Sequence, residues 1–217
     1  MGTVIRDPDL PTRMVAAILL AAGGSSRMGG EPKGLQEIPS EGPVLARMAR
    51  VCAGAELFPV LAVVGYRAAE HRDRLSSLPL HWVEHPGWAR GRTSSAQAGL
   101  RALGDDPPEC LLWPVDAPFV QLSTLQRLVA PPGAALAGVN WSVPAFQGRR
   151  GHPVLLGPLA QREIRRYPDD RPLSAFPAEH PRAVREVPVD DPGVTDNLDT
   201  PGAFLDALQR FRGEVKA

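Results

Sequence analysis

The chain has 217 residues, with 24 basic and 24 acidic side chains and therefore a formal net charge of zero at pH 7. This length most simply forms one domain, and a sequence with no basic tail or stripe argues against nucleic acid as a partner. Residues 14–22, the longest apolar run, are too few to span a bilayer, and two cysteines are too few for a disulfide framework. We therefore expect a cytoplasmic protein with a flexible leader over residues 1–12, which lack periodicity.

The first half of the chain alternates short apolar runs with segments of helical periodicity. The apolar runs predict buried strands over 15–21, 60–64, 80–84 and 110–115, and the periodic segments predict helices over 44–53, 68–75, 94–103 and 122–130. Strands that are apolar on both faces and separated by helices indicate a mostly parallel sheet with helices on both sides. The predicted fold class is therefore α/β, as a three-layer α/β/α sandwich.

The second half is less regular. Its pattern predicts strands over 134–139, 143–146, 153–156 and 184–187, a helix over 158–166, and a last helix that begins at Pro201 with Thr200 or Asp199 as its cap. Residues 148–151 are predicted to form a turn that joins two of these strands, and residues 167–172 a loop.

A glycine-rich loop with two cations follows the first predicted strand. Glycine lets backbone N–H groups approach phosphate oxygens closely, so the pattern indicates a polyphosphate site. Lys33 ends the loop, and Lys216 is the only other lysine among the 24 basic residues, which indicates that position 33 needs a compact ammonium group; a chance surface lysine is the alternative. The candidate nucleotide-binding residues here are Leu20, Ala21, Ala22, Gly23, Gly24, Ser25, Arg27 and Lys33.

This loop differs from the two best-known glycine loops. A P-loop has a lysine directly after its last glycine, and none follows Gly29 or Gly30. The dinucleotide fingerprint Gly-x-Gly-x-x-Gly is also missing from the sequence. The motif therefore disfavours both an NTPase motor and a dehydrogenase.

Oxygen ligands for a metal stand in two other places. Asp116 follows the apolar strand over 110–115, where a lone carboxylate is costly unless it has a partner such as Mg²⁺. Asn197 and Asp199 alternate along an extended segment and so face the same side. We expect Asp116, Asn197 and Asp199 to hold Mg²⁺, and the alternatives are a turn residue at Asp116 and a helix cap at Asp199.

Two further segments carry groups that suit anions. Gly91, Ser94 and Ser95 mark a predicted helix N-terminus, which suits a nucleotide. The alternative is ordinary capping of this helix by Ser94 or the threonine before it. Arg150 and His152 stand on a predicted hairpin, where they are candidates to clamp a second, phosphorylated substrate or to lie on a solvated turn.

These segments together resemble the MobA-like NTP transferase family, the nucleotidyltransferases that make NDP-sugars and molybdenum-cofactor dinucleotides. The stretch 19–33 is the most specific match, and 85–91, 115–118 and 150–154 are similar to the molybdenum-cofactor cytidylyltransferase branch. The resemblance implies a Rossmann-like nucleotide-diphospho-sugar transferase fold and a single nucleotidyltransferase domain over 13–212.

The resemblance also implies an activity. The enzyme would transfer NMP from an NTP, with CTP favoured and GTP as the other candidate, to a phosphorylated acceptor such as molybdopterin, and would release pyrophosphate. Arg27, Lys33 and Asp116 would be its catalytic residues and Mg²⁺ its cofactor. Its partners would be these small molecules, without nucleic acid or membrane, in a monomer or small homo-oligomer.

Two departures from the family pattern leave other hypotheses open. Residues 167–173 lack the glycine and alanine of the family's acceptor segment, and Asn197 stands where the family often has an acid. A sugar-phosphate nucleotidyltransferase and a non-catalytic nucleotide-binding accessory protein are the two alternatives.

Overall fold

The computed structural model describes residues 14–24, 29–104, 109–130 and 138–215. The predicted leader, Ser25 and Arg27 lie outside these residues, as does most of the predicted strand over 134–139, whose last two residues are not in a strand.

The strands of the described structure are β1 (Val15–Ala21), β2 (Glu37–Ile38), β3 (Gly42–Pro43), β4 (Val60–Val64), β5 (His81–Glu84), β6 (Glu109–Pro114), β7 (Trp141–Phe146), β8 (Arg149–Arg150), β9 (Val154–Leu156) and β10 (Val184–Pro188). Strands β2 and β3 pair as a small antiparallel ribbon. The others form one sheet in the order β10-β7-β9-β6-β1-β4-β5, with β8 paired to β7.

The sheet is mostly parallel, as predicted. Strand β1 lies parallel to both β4 and β6, and β5 lies parallel to β4. Strand β9 is inserted antiparallel between β6 and β7, and β10 lies parallel to β7 at the edge. The carboxyl ends of β1, β4 and β6 therefore meet at one edge of the sheet, which is where ligands bind in folds of this class.

The predicted turn over 148–151 is wrong in its position. Arg149 and Arg150 form β8, which pairs antiparallel with the last two residues of β7. The turn lies at Gln147 and Gly148, whose positive φ values of 49° and 76° are typical of a tight two-residue hairpin. The two arginines consequently stand on a short strand, with backbone positions fixed by pairing.

Seven α-helices cover the sheet in the described residues: α1 (Val44–Gly54), α2 (Ala68–Arg74), α3 (Arg92–Ala102), α4 (Leu122–Val129), α5 (Pro158–Ile164), α6 (Ala175–Glu179) and α7 (Pro201–Val215). Alternate side chains of β1 enter two separate cores. Leu19 packs in the core that includes residues of α1, α4 and α7, and Ile18 packs in the core that includes residues of α3 and α5. This arrangement confirms the three-layer sandwich. No helix within the described residues combines the length and apolar character that a membrane-spanning segment needs.

Helix α3 begins two residues before its predicted start, at Arg92. Its N-cap is Gly91, whose φ of 117° is a conformation that glycine adopts without strain. Neither hydroxyl residue caps the helix as predicted, because Thr93 Oγ1 donates to the carbonyl of Arg171 and Ser94 Oγ donates back to the carbonyl of Gly91. The earlier start places the Arg92 side chain at the carboxyl edge of the sheet, among the residues that line the clefts there.

Candidate active site

Two clefts open at the carboxyl edge of the sheet and meet each other. The smaller has a volume of about 320 Å³ and the larger a volume of about 810 Å³. Among the residues that the structure describes, five line both clefts: Leu20, Arg92, Pro114, Asp116 and Asp199. The arrangement offers two compartments with a shared boundary, which suits a reaction between two bound molecules.

A compact cluster of charges lies where the clefts meet. Lys33 Nζ donates to Asp116 Oδ1 and to Asp199 Oδ1, at 2.7 Å in each case. Arg92 Nη2 donates to Asp116 Oδ2 at 2.9 Å. The Lys33 side chain is only 12% exposed and that of Asp116 only 16%. Two carboxylates that are far apart in the sequence therefore converge on one ammonium group, so Lys33 is not a chance surface lysine.

Local packing fixes the backbone that carries Lys33. This residue begins a 3-10 turn, Lys33–Leu35, and the side chain of Leu35 is fully buried. A Cβ atom on Gly34 would lie 2.9 Å from the side chain of Leu45 in α1 and 3.1 Å from Nε2 of His71 in α2. Glycine at position 34 thus allows the turn to pack against both helices, and the ammonium group is presented from a fixed position.

A backbone hydrogen bond ties Asp116 to the segment that carries Asp199. The N–H of Leu198 donates to the carbonyl of Asp116 at 2.9 Å. Asn197 lines the larger cleft together with Asp116 and Asp199. Thr200 caps α7 as predicted, because its Oγ1 accepts from the N–H three residues later at 3.2 Å. The fold therefore brings the three candidate metal ligands to one cleft.

The smaller cleft contains most of the candidate nucleotide-binding residues that the structure describes: Leu20, Ala21, Ala22, Gly23, Lys33, Gly91 and Ser95. Ser94 is not among the residues that line it. Its side chain is fully buried, with Oγ bonded to the carbonyl of Gly91 at 2.8 Å and 3.0 Å from His85 Nε2. Because α3 starts at Arg92, Ser94 points into the protein and holds the Gly91 turn in place.

Trp88 is a wall of the smaller cleft that the sequence analysis did not single out. Two glycines leave room for its indole, since a Cβ atom would lie 2.6 Å from the ring system on Gly65 and 2.9 Å from it on Gly24. Tyr66 packs edge-on against it, with 5.8 Å between ring centroids. Gly24 therefore packs against Trp88, which lines the smaller cleft. These contacts join distant parts of the chain, so the local pattern carries no signal for them.

The larger cleft combines apolar walls with basic residues. Its apolar lining comes from the sheet and from the segment around α6: Leu112, Trp141, Val143, Val154, Pro172, Leu173 and Pro177. Arg149, Arg150 and His152 also line it, so the two candidate acceptor residues share one cleft. The guanidinium of Arg150 pairs with Glu186 Oε1 at 2.6 Å, and its side chain remains 53% exposed.

His152 presents an unusual imidazole to the larger cleft. Its Nδ1 is buried and has no hydrogen-bond partner among the residues described by the structure. Burial lowers the pKa of His152 to about 4, the Arg92 cation adds to this effect, and Asp116 opposes it. The ring is therefore neutral near pH 7. The backbone before it is packed closely, because a Cβ atom on Gly151 would lie 2.0 Å from the carbonyl oxygen of Val194.

The unusual segment over 167–173 forms part of the wall of the larger cleft. Leu173 lines the cleft, and Gln97 Nε2 of α3 donates to the carbonyl of Tyr167 at 2.7 Å and to the carbonyl of Ile164 at 2.9 Å. The segment that departs from the family pattern is thus anchored to the same helix that carries Arg92.

Comparison with known proteins places this arrangement in a family. Residues 17–184 match the model of the MobA-like NTP transferase domain. The chain belongs to the MobA-like NTP transferase family. This confirms the resemblance of its sequence segments and identifies the protein as a nucleotidyltransferase, so the enzyme hypothesis is favoured over a non-catalytic accessory protein.

Two curated relatives are similar to this MobA-like enzyme over most of its length. The chain is 29% identical over 213 residues to the molybdenum cofactor guanylyltransferase of Rhodopseudomonas palustris strain HaA2. This alignment covers 93% of this chain and 92% of the relative. It is 31% identical over 154 residues to the nicotine blue oxidoreductase of Paenarthrobacter nicotinovorans, covering 69% of this chain and 73% of the relative.

The structural likeness extends over almost the whole chain. Rv0371c of Mycobacterium tuberculosis H37Rv superposes with a TM-score of 0.77 at 23% identity, covering 92% of this chain and 100% of that protein. Rv0371c has also been solved in complex with manganese. At 23% identity, the likeness to Rv0371c shows the α/β fold of this MobA-like enzyme and no more.

Proposed function

We propose that this MobA-like enzyme transfers NMP from an NTP to a phosphorylated small-molecule acceptor and releases pyrophosphate. The observation that carries the proposal is the Lys33–Asp116–Asp199 cluster at the shared boundary of two clefts. An oxygen of the acceptor phosphate attacks the α-phosphorus of the NTP, the bond to the β-phosphate breaks, and pyrophosphate leaves with that electron pair. Lys33 is positioned to neutralise charge that builds up at this junction.

The smaller cleft suits the nucleotide. It is lined by the end of β1 and by Gly23, Gly91 and Ser95. Backbone N–H groups beside small residues bind phosphate oxygens well, and Trp88 adds an aromatic wall for the base or ribose. Arg27 belongs to the same glycine loop in the sequence, and we propose it as a second phosphate-binding cation.

The cluster also fits a divalent cation. Asp116 Oδ1 and Asp199 Oδ1 already face one cation, and Asn197 adds an amide to the same cleft. Mg²⁺ prefers such oxygen ligands together with substrate phosphates. Asp116, Asp199 and Asn197 would hold the ion, and when bound it would neutralise charge on the α-phosphoryl group and on the pyrophosphate. The manganese complex of Rv0371c supports a divalent cation in this fold.

The larger cleft suits the acceptor. Arg150 and His152 lie in it beside apolar walls, so a molecule with a phosphate and a sizeable apolar body would fit. The neutral imidazole of His152 offers a hydrogen bond without adding charge. The relative named as a molybdenum cofactor guanylyltransferase supports molybdopterin as the acceptor and keeps GTP beside CTP as the donor.

Label transfer tests the proposal directly. Each of the four NTPs is supplied in turn with ³²P at the α position, together with Mg²⁺ and molybdopterin. We expect only CTP or GTP to pass this label to the acceptor. The same nucleotide labelled at the γ position should give labelled pyrophosphate. A second set of reactions uses sugar phosphates as acceptors in place of molybdopterin. Label that stays in the NTP with every acceptor would overturn the proposal.

A further inference from the structure

Arg92 occupies a place that neither the glycine loop nor the acidic motifs predict. It lines both clefts, and Nη2 donates to Asp116 Oδ2 at 2.9 Å. Its side chain is 51% exposed, against 12% for Lys33, 16% for Asp116 and 23% for Asp199. Arg92 is therefore the charged group at the boundary that is most accessible to an incoming molecule.

The two cations on Asp116 are held in different ways. Lys33 bridges two carboxylates and sits on a buried turn. Within the described part of the chain, Arg92 forms one ion pair, to Oδ2 of Asp116, and its own side chain is half exposed. An exposed ion pair contributes little stability, so a phosphate can compete for this guanidinium at small cost.

The chemistry of the guanidinium suits this position. Its planar fork offers several N–H donors, so one edge can stay with Asp116 while another binds phosphate oxygens. Arg149, Arg150 and His152 line the same cleft, and the Arg92 charge contributes to keeping His152 neutral. Arg150 is paired with Glu186, away from the boundary that Arg92 shares with the smaller cleft.

We propose that Arg92 binds the attacking phosphate of the acceptor and directs it toward the nucleotide. The inference rests on the proposed function, because it needs an acceptor phosphate in the larger cleft. Before substrates bind, the pair with Asp116 holds the guanidinium at the boundary. When the acceptor binds, the Arg92 guanidinium lies between Asp116 and the acceptor phosphate. Its positive charge then lies between the two anionic substrates.

Three variants test this role. Arg92→Gln removes the charge, Arg92→Lys keeps it without the fork, and Arg101→Gln makes the same charge change at an exposed position of the same helix. We measure pyrophosphate release from the NTP with molybdopterin as the acceptor. We expect Arg92→Gln to raise KM for molybdopterin about 10-fold or more, with KM for the NTP changed less than about twofold. Arg92→Lys should recover part of the acceptor affinity, and Arg101→Gln should match the wild type.

A binding measurement separates this inference from the proposed function. Inorganic phosphate is titrated calorimetrically into the protein saturated with a non-hydrolysable NTP analogue and Mg²⁺. We expect wild type and Arg101→Gln to bind phosphate with equal affinity and Arg92→Gln to bind it at least about 10-fold more weakly. Wild-type protein that binds no phosphate, or equal affinity in all variants, would overturn the role of Arg92. Failure of label transfer alone would instead count against the proposed function.

Discussion

At the scale of single residues, Lys33 makes two short contacts that suit a compact ammonium group. Its ammonium lies 2.7 Å from one oxygen of Asp116 and 2.7 Å from one of Asp199. A guanidinium is planar and spreads its charge over three nitrogen atoms, so it does not present one compact donor to both carboxylates. We expect Lys33→Arg to lower kcat/KM for pyrophosphate release about 100-fold with an unchanged melting temperature. The matched control is Lys216→Arg, and equal activity of the two variants would contradict the role of Lys33.

His152 makes the stability of the protein depend on pH. Its folded pKa is about 4, below the value of 6.5 for a free histidine, so the unfolded chain binds more protons between these values. Stability is fully present above the unfolded pKa and is lost as the pH falls toward the folded pKa. We expect His152 to account for a loss of about 2 kcal/mol in unfolding free energy between pH 7 and pH 5.

Urea denaturation at the two pH values measures this loss. His152→Gln should show a smaller loss than the wild type, and His81→Gln, at an exposed histidine, should follow the wild type. The same pH dependence in all three proteins would show that His152 is not the titrating group.

The sequence predicts some site residues and not others for a physical reason. Lys33 and Asp116 are visible because each is an exception to its local pattern, a lysine in an arginine-rich chain and a carboxylate at the end of an apolar strand. Trp88 and Arg92 resemble ordinary residues in their segments. Their positions depend on Gly24, Gly65 and Asp116, which only the folded chain brings near them.

At the scale of secondary structure, Asp191 connects helix α4 to the loop before α7. Its Oδ2 accepts from the N–H of Gln121 at 2.9 Å and from Thr124 Oγ1 at 2.6 Å, and its Oδ1 accepts from the N–H of Gly193 at 3.0 Å. The residue is 2% exposed, so its removal leaves buried donors without partners.

We expect Asp191→Ala to lower the free energy of unfolding by about 2 to 3 kcal/mol, measured by urea denaturation near neutral pH. Asp190→Ala, at the exposed neighbour, is the control and should change stability by less than about 0.5 kcal/mol. Equal stability of the two variants would mean that the Asp191 hydrogen bonds do not hold α4 in place.

The predicted bounds of the secondary-structure elements are most accurate where a strand is buried on both faces. Strands β1 and β4 have the predicted bounds because they are apolar on both faces and end at glycine or small residues. The second half departs from the prediction because its pairing is not local: β9 enters antiparallel between β6 and β7, and β8 exists only because it pairs with β7. The start of α3 shifts because Gly91 supplies the positive φ.

At the scale of the whole molecule, the two cores protect both cysteines. Cys52 and Cys110 are free thiols with no exposed surface, one in each core. Burial raises the pKa of Cys52 to about 12 and also raises that of Cys110. We expect iodoacetamide to label neither thiol in the native protein at mildly alkaline pH and both in concentrated urea. Rapid labelling of the native protein, read by mass spectrometry, would show that a core opens locally.

We propose that the two clefts hold the two substrates, and Asp116 lines both of them. Asp116 accepts a hydrogen bond from Lys33 on one oxygen and from Arg92 on the other, so its removal would disturb both sides of the proposed transfer site. A charge change at Asp190 is the matched control because that side chain is exposed and lines neither cleft.

Pyrophosphate release by Asp116→Ala is the most direct test of the transfer site. The assay compares this variant with wild type and Asp190→Ala across the four NTPs, with Mg²⁺ and with and without molybdopterin. We expect acceptor-dependent release by wild type and Asp190→Ala, and a loss of at least about 100-fold in kcat/KM for Asp116→Ala. Release that survives Asp116→Ala unchanged would contradict the account.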